Sequence, residues 1–171
     1  MRRYQRRVYA VAYRICRRSD VAEDVAQETF LRAYRALDRF EVGRPFGPWV
    51  VRIAANLAIN RKRSPREREQ ALPEGHAETP AVSPDPLGRL LETEAGAVLE
   101  KAVGELPEEQ RAVFVLRIYE DLSYQEIAEA LGVADGTVMS RLSRARARLR
   151  TVLLPYLAAA RAPGEGSKVK V

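Results

Sequence analysis

Sulfur and imidazole are almost missing from this chain of 171 residues, which holds one cysteine, Cys16, and one histidine, His76. A single thiol excludes an intramolecular disulfide, and one cysteine with one histidine cannot assemble a structural zinc site or a Cys/His catalytic set. Cys16 sits among apolar residues and reads as a packed side chain. His76 has no cysteine or acidic neighbour at ligand spacing and reads as solvated, so no metal is expected. Apolar runs are short: none is long enough to cross a membrane, and the arginine-rich N-terminus lacks the apolar stretch of a secretory signal. A cytoplasmic protein without membrane insertion is the expectation. Strand-like alternation and internal repeats are also missing. So are a P-loop run and a carboxylate cluster for metal ions, which leaves phosphoryl transfer and hydrolysis without a site. The sequence therefore points away from an enzyme and away from a cofactor. Hydrophobic residues, at 46%, supply real but modest cores for one domain or two small ones.

What the chain has in excess is arginine, which makes up 25 of its 29 basic residues. The net charge of +6 is unevenly spread. Residues 1–63 carry +9, residues 64–86 carry −3, residues 87–134 carry −6, residues 135–154 carry +4 and the remainder +2. Positive charge thus gathers in two separated places, which suits two contacts on one polyanion. Arginine in particular favours bidentate contacts to phosphate and guanine.

Between these places lies SPREREQALPEGHAETPAVSPDP, residues 64–86, with five prolines, many charges and almost no large apolar residue. This is the composition of a flexible linker. Residues 158–171 form a small, polar, flexible tail. The rest is helical in period, so the fold class is all-α: two small helical domains, residues 1–63 and 87–157, joined by the linker.

In the first domain a helix over about residues 3–17 turns Val8, Val11, Ala12 and Ile15 inward. A second runs from Asp20, read as the N-cap with Glu23 three places on, to about Leu37. Its inward stripe is Ala22, Val25, Ala26, Thr29, Phe30, Ala33 and Leu37, which leaves Glu23, Asp24, Gln27, Glu28 and Arg32 outside. After the loop DRFEVGRPFG, Pro48 is placed to open a further helix with Val50, Ile53, Ala54 and Leu57 inward. On its other face Arg52, Asn56, Asn60 and Arg63 follow one another at four, four and three residues, with Arg61 and Lys62 beside them. Amide and guanidinium groups aligned this way suit base edges and phosphates. Trp49, next to Val50 and Ile53, fits the core better than a stacking role.

The second domain opens with a helix from about Leu87 to Gly104, carrying Leu90, Leu91, Val98, Leu99 and Val103. A second helix, RAVFVLRIYE, follows Pro107. These form a hydrophobic floor under SYQEIAEALGVADGTVMSRLSRARARLR, residues 123–150, which has the pattern of a helix-turn-helix. Ser123 and Glu126 form a capping box, Tyr124, Ile127, Ala128 and Leu131 an apolar stripe, and Gly132 the stop. In the second helix Val138, Leu142, Ala145 and Leu149 pack, leaving Thr137, Ser140, Arg141, Arg144 and Arg148 to meet DNA. The acidic surface of the floor would repel DNA and is expected to face solvent or protein.

With these pieces in order, the chain resembles bacterial sigma factors of the small extracytoplasmic-function type, the promoter-recognition subunits of RNA polymerase. The resemblance covers about residues 4–155. It rests on AEDVAQETFLRAYRALDRF, PWVVRIAANLAINRKR and LPEEQRAVFVLRIYEDLSYQEIAEALGVADGTVMSRLSRARARL, in that order across a linker. It implies region 2 at residues 1–63 and region 4 at residues 87–157. It further implies that Asp24, Gln27 and Glu28 dock on core RNA polymerase, whose beta and beta-prime subunits become partners together with promoter DNA and an anti-sigma protein. The helix of Arg52, Asn56, Asn60, Arg61, Lys62 and Arg63, with the loop before it, would recognise and open the minus-ten element. Capture of an unstacked base there offsets the cost of unstacking, so opening needs no ATP. The helix-turn-helix would read the minus-thirty-five element.

Three positions depart from the family pattern. Met139 stands where a basic residue is frequent and Ser143 where histidine or another aromatic is frequent, so base readout falls to Arg141, Arg144 and Arg148. Ala134 replaces the usual serine cap, leaving Asp135 as the expected cap of the recognition helix. The competing reading is a stand-alone helix-turn-helix regulator, which would need a sensing or receiver domain or a dimer interface in place of the basic, amide-rich first domain.

Overall fold

A computed structural model describes residues 2–41, 43–62 and 94–161, with side chains over residues 3–41, 43–61 and 96–155. The linker, Arg63, Leu90, Leu91 and the end of the tail lie outside the described residues. The all-α expectation holds: the described residues form seven α-helices and a 3-10 turn, with no strand among them. Helices α1 (Arg2–Cys16), α2 (Ser19–Arg35) and α3 (Phe46–Lys62) make one group, with the 3-10 turn Leu37–Arg39 between the last two. Helices α4 (Glu94–Glu105), α5 (Glu108–Ile118), α6 (Tyr124–Leu131) and α7 (Asp135–Arg161) make the other. No helix among the described residues is long and apolar enough to cross a membrane.

Helix α1 is the centre of the molecule. The expected stripe of Val8, Val11, Ala12 and Ile15 is buried, but so are Ala10, Tyr13, Arg14 and Cys16. The extra burial follows from a second partner, because α1 packs against α2 and α3 on one side and against α5 on the other. One apolar core runs through both helix groups, with Val11, Ile15, Val51 and Leu57 joined to Val103, Leu116, Ile127 and Leu142. The buried Arg111 ties the seam: its guanidinium donates to the carbonyls of Ile15 (3.1 Å), Gly104 (2.7 Å) and Leu106 (3.2 Å). The Ile15 carbonyl belongs to the last turn of α1, where the helix itself offers no N–H partner.

Several local expectations change. Helix α2 begins at Ser19 behind Arg18, which makes no side-chain cap bond, and the Asp20 carboxylate is instead taken by Arg18 Nε at 3.1 Å. The capping box read at Asp20 therefore does not form. The helix ends at Arg35, and the 3-10 turn that follows rotates Leu37 outward, where half of it is exposed. Helix α3 begins two residues before Pro48, which still falls in the first turn, where a missing N–H costs nothing. Asp135 is the first residue of α7 and not the cap before it, since the Ala134 carbonyl already accepts from Thr137 and Val138. The Asp135 carboxylate acts there on the positive end of the helix. Helix α7 continues to Arg161 with Pro155 inside it, beyond the boundary expected at residue 157.

Candidate nucleic-acid interface

The helix-turn-helix forms as read. Ser123 Oγ accepts from the Glu126 backbone N–H at 3.2 Å, while Glu126 Oε2 accepts from the Ser123 N–H at 2.9 Å. Gly132 ends α6 in the left-handed region at φ +63°, a conformation open to glycine at little cost. Ile127 and Ala128 are buried on α6, and Val138, Leu142, Ala145 and Leu149 on α7. Burial of these four leaves Ser140, Arg144 and Arg148 exposed on α7 and Thr137 and Arg141 half-buried. Ser140 Oγ donates to the Thr137 carbonyl at 3.0 Å, which draws it back onto its own helix. Arg141 is held by Glu109 at the head of α5, 2.7 Å away. Among the described residues Arg144 and Arg148 make no ion pair, which makes them the cations of this set most available to a phosphate or a base. Met139 is 55% exposed on the same helix and offers no hydrogen bond.

The face expected on α3 is divided. Arg52 and Asn56 line an open cleft of about 680 Å³, whose floor includes Phe40 and Trp49. Asn60 Nδ2 donates to Asn56 Oδ1, so the two amides are aligned along the helix. Arg61 instead turns to α2 and pairs with Asp24 Oδ2 at 2.8 Å, which links α3 to the expected polymerase-docking set. Lys62 closes α3, and Arg63 lies outside the described residues. Trp49 is half-buried in an aromatic cluster, 4.8 Å from Phe40 and 5.4 Å from Phe46 between ring centroids, and Tyr4 stands 5.2 Å from Phe46. This cluster fixes the end of the loop against α1 and α3 while leaving an edge of Trp49 on the cleft.

On the outer face of α2, Asp24 and Gln27 are exposed and Glu28 is half-buried. Arg32, one turn on, donates to Glu28 at 2.7 Å and holds its carboxyl below the ordinary value. Leu31 and Tyr34, 53% and 68% exposed, continue this face as an uncovered apolar strip. Neither was singled out by the sequence reading, although they follow Gln27 at spacings of four and three, the signal of a shared helix face. Arg39 and Arg44 were not named singly, although the loop that holds Arg44 belongs to the expected minus-ten set; both line the cleft from the turn and loop before α3, where no helical period marks a face.

The fold and these two arginine-bearing faces define a two-part helical reader of nucleic acid. Residues 1–68 match the family described as Sigma-70 region 2, and residues 97–149 match Sigma-70, region 4. The chain is 35% identical over 158 residues to the ECF RNA polymerase sigma factor SigW of Bacillus subtilis, covering 88% of this chain and 84% of that protein. It is 42% identical over 157 residues to the ECF RNA polymerase sigma factor SigE of Mycolicibacterium smegmatis, covering 91% of this chain and 61% of that protein. Among solved structures, the sigma factor RpoE in complex with the anti-sigma factor NepR from Bartonella quintana aligns with a TM-score of 0.65 at 28% identity, over 88% of this chain and 91% of that one. The chain belongs to the sigma-70 family, and within it to the extracytoplasmic-function sigma factors. A promoter-specific sigma factor is the function these matches support, and a stand-alone regulator is not favoured.

Proposed function

We propose that residues 1–63 act as region 2 and residues 87–157 as region 4 of a sigma factor that brings core RNA polymerase to promoters from the cytoplasm and does no covalent chemistry of its own. The observation that carries this reading is the pair of arginine faces, on α3 and on α7, set on opposite sides of the linker in the order of the two family regions. On α7, Arg144 and Arg148 approach the major groove of the minus-thirty-five element, with Thr137 and Ser140 on the backbone and Arg141 joining once released from Glu109. On α3, Arg52, Asn56 and Asn60, with Lys62 and Arg63 at its end, meet the minus-ten strand, and the cleft floored by Phe40 and Trp49 receives an unstacked base. Asp24, Gln27 and Glu28, extended by Leu31 and Tyr34, dock on the polymerase. An anti-sigma protein is the expected further partner, as in the solved RpoE complex. The test is transcription from a cognate promoter by core polymerase with and without this protein. Specific initiation that depends on the chain is expected; initiation that does not depend on it refutes the reading.

A further inference from the structure

Helix α7 carries more arginine than the expected readout set uses. Its buried positions Val138, Leu142, Ala145 and Leu149 fix one side on the core, and successive residues turn by about 100° around the axis. Arg144 and Arg148 fall on one flank of the exposed side. Met139, Ser143, Arg146 and Arg150 fall on the other, at spacings of four, three and four, and all four are exposed. Neither Arg146 nor Arg150 makes an ion pair among the described residues. Between the two rows lie the small exposed residues Gly136, Ser140 and Ala147. A helix is about 10 to 12 Å across and the major groove about 12 Å wide, so a helix that enters on this low ridge brings one row against each wall.

Met139 differs in chemistry from the rest of its row. It is 55% exposed, and the other large apolar side chains exposed on α7, Val152 and Leu154, lie more than three turns further on, past the buried Leu149. Met139 stands instead in the second turn, the part of a recognition helix that reaches base edges. Arg146 and Arg150 follow about 11 and 17 Å along the axis, where such a helix leaves the bases and runs beside phosphates. A flexible thioether chain at base level has no hydrogen bond to donate, but it can cover an apolar group. In the major groove thymine offers one, its 5-methyl group. Cytosine in the same place offers an amino donor, which a thioether accepts only weakly.

We propose that Met139 sets promoter preference in this chain: its side chain packs on the 5-methyl group of a thymine in the minus-thirty-five element, while Arg146 and Arg150 of the same row hold phosphates of the adjoining strand. The inference rests on the reading of α7 given under Proposed function and adds to it a second flank and an apolar contact. Arg144 and Arg148 meet hydrogen-bonding groups from one side, and Met139 separates thymine from cytosine on the other. The methyl contact takes apolar surface of both partners out of water, so it selects by the hydrophobic effect. Unlike the arginine contacts, it is not screened by salt.

The test uses holoenzyme formed from the full chain and core polymerase. Duplexes that this holoenzyme enriches from a random-sequence pool serve as the probe. Within their minus-thirty-five segment each thymine is replaced in turn by deoxyuridine, which removes the 5-methyl group and leaves the hydrogen-bonding edge unchanged. Affinity is read by fluorescence anisotropy. One replacement is expected to weaken binding by about fourfold, the loss of one buried methyl contact. That effect should vanish in Met139→Ala and persist in Met139→Leu; Met139 is exposed, so neither change disturbs the core under α7. Arg146→Ala and Arg150→Ala should weaken all duplexes alike and lower the salt dependence of binding. Absence of thymine from the enriched segment, or a methyl effect of the same size with Met139 and with alanine, overturns the proposal. If Arg144→Ala still weakens binding in that case, only the assignment of Met139 has failed. If Arg144→Ala and Arg148→Ala leave binding unchanged as well, the reading of α7 has failed with it.

Discussion

Arg141 and Arg144 differ by one helical turn position and by one carboxylate. Arg141 must give up Glu109, 2.7 Å away, before it contacts DNA, whereas Arg144 is exposed with no ion pair among the described residues. Arg144→Ala is therefore expected to weaken promoter binding by about 1 to 3 kcal/mol and to relax specificity at one base position. Arg141→Ala should cost less, because part of what Arg141 gains on DNA is offset by the Glu109 pair it must break. Footprinting with the holoenzyme checks both, and an unchanged footprint removes Arg144 from the readout. Glu126 offers a second residue-scale test. Its carboxyl is held below the ordinary value, chiefly because it accepts the Ser123 backbone N–H, with the Ser123 hydroxyl and Arg52 acting in the same direction and burial opposing them. A depressed value means that its stabilisation is complete above the ordinary glutamate range and is lost as pH falls through the lowered value. Glu126→Gln should lower stability by about 0.5 kcal/mol at neutral pH, a figure reduced by solvent at this half-exposed site. In urea unfolding the two proteins should converge once the pH has fallen below the lowered value of the Glu126 carboxyl.

At the scale of single helices, the outer face of α2 and the cap of α6 were legible, whereas the cap of α2 and the second buried face of α1 were not. The polar face of α2 at Asp24, Gln27 and Glu28 and the capping box of α6 are local features, set by spacing and by side chains within one turn. Leu31 and Tyr34 show what spacing leaves out: exposed apolar residues on a polar face look like an imperfect pattern until the structure shows them uncovered. If this strip completes the docking face, Tyr34→Asp should weaken binding to core polymerase about as much as Gln27→Ala with Glu28→Ala, at least tenfold. Both variants should leave DNA binding by α7 unchanged. Polymerase affinity measured by fluorescence anisotropy decides; unaltered affinity in both assigns the face to solvent. Helix α1 read as an ordinary amphipathic helix because only one of its two buried faces is strictly apolar. The other is carried by Tyr13 and Arg14, and a buried arginine is invisible to hydrophobic period until its partners Glu100 and Tyr119, far along the chain, are known.

For the molecule as a whole, the seam between the helix groups depends on polar groups removed from water. Arg111 donates to three carbonyls and is buried, and that burial lowers its proton affinity. Arg111→Ala strands these acceptors and is expected to cost about 3 kcal/mol or more, among the largest losses of any polar substitution here. Arg111→Lys should recover only part, since an ammonium lacks the planar fork that reaches three oxygens. Urea denaturation of the full chain measures both, and a loss below about 1 kcal/mol would show that the seam does not rely on this residue. Glu120 titrates against the trend of Glu126: burial raises its carboxyl above the ordinary value, although Arg7 and Arg14 pull it down. The sign is reversed accordingly, so its contribution is most favourable in acid and declines as pH rises through the raised value.

The sequence by itself determined the helical class, the helix-turn-helix with its cap and glycine stop, and the two arginine faces, because each depends on residues within a few positions of one another. It also carried the family, since three motifs in order across a linker are a one-dimensional signal that both family matches repeat. Only the tertiary structure decided which of those arginines are engaged. Arg61 with Asp24, Arg141 with Glu109 and Arg52 with Glu129 are pairs between residues distant in the chain, and no local spacing specifies them. Charge complementarity acts through space, so the availability of each cation is a property of the packed molecule.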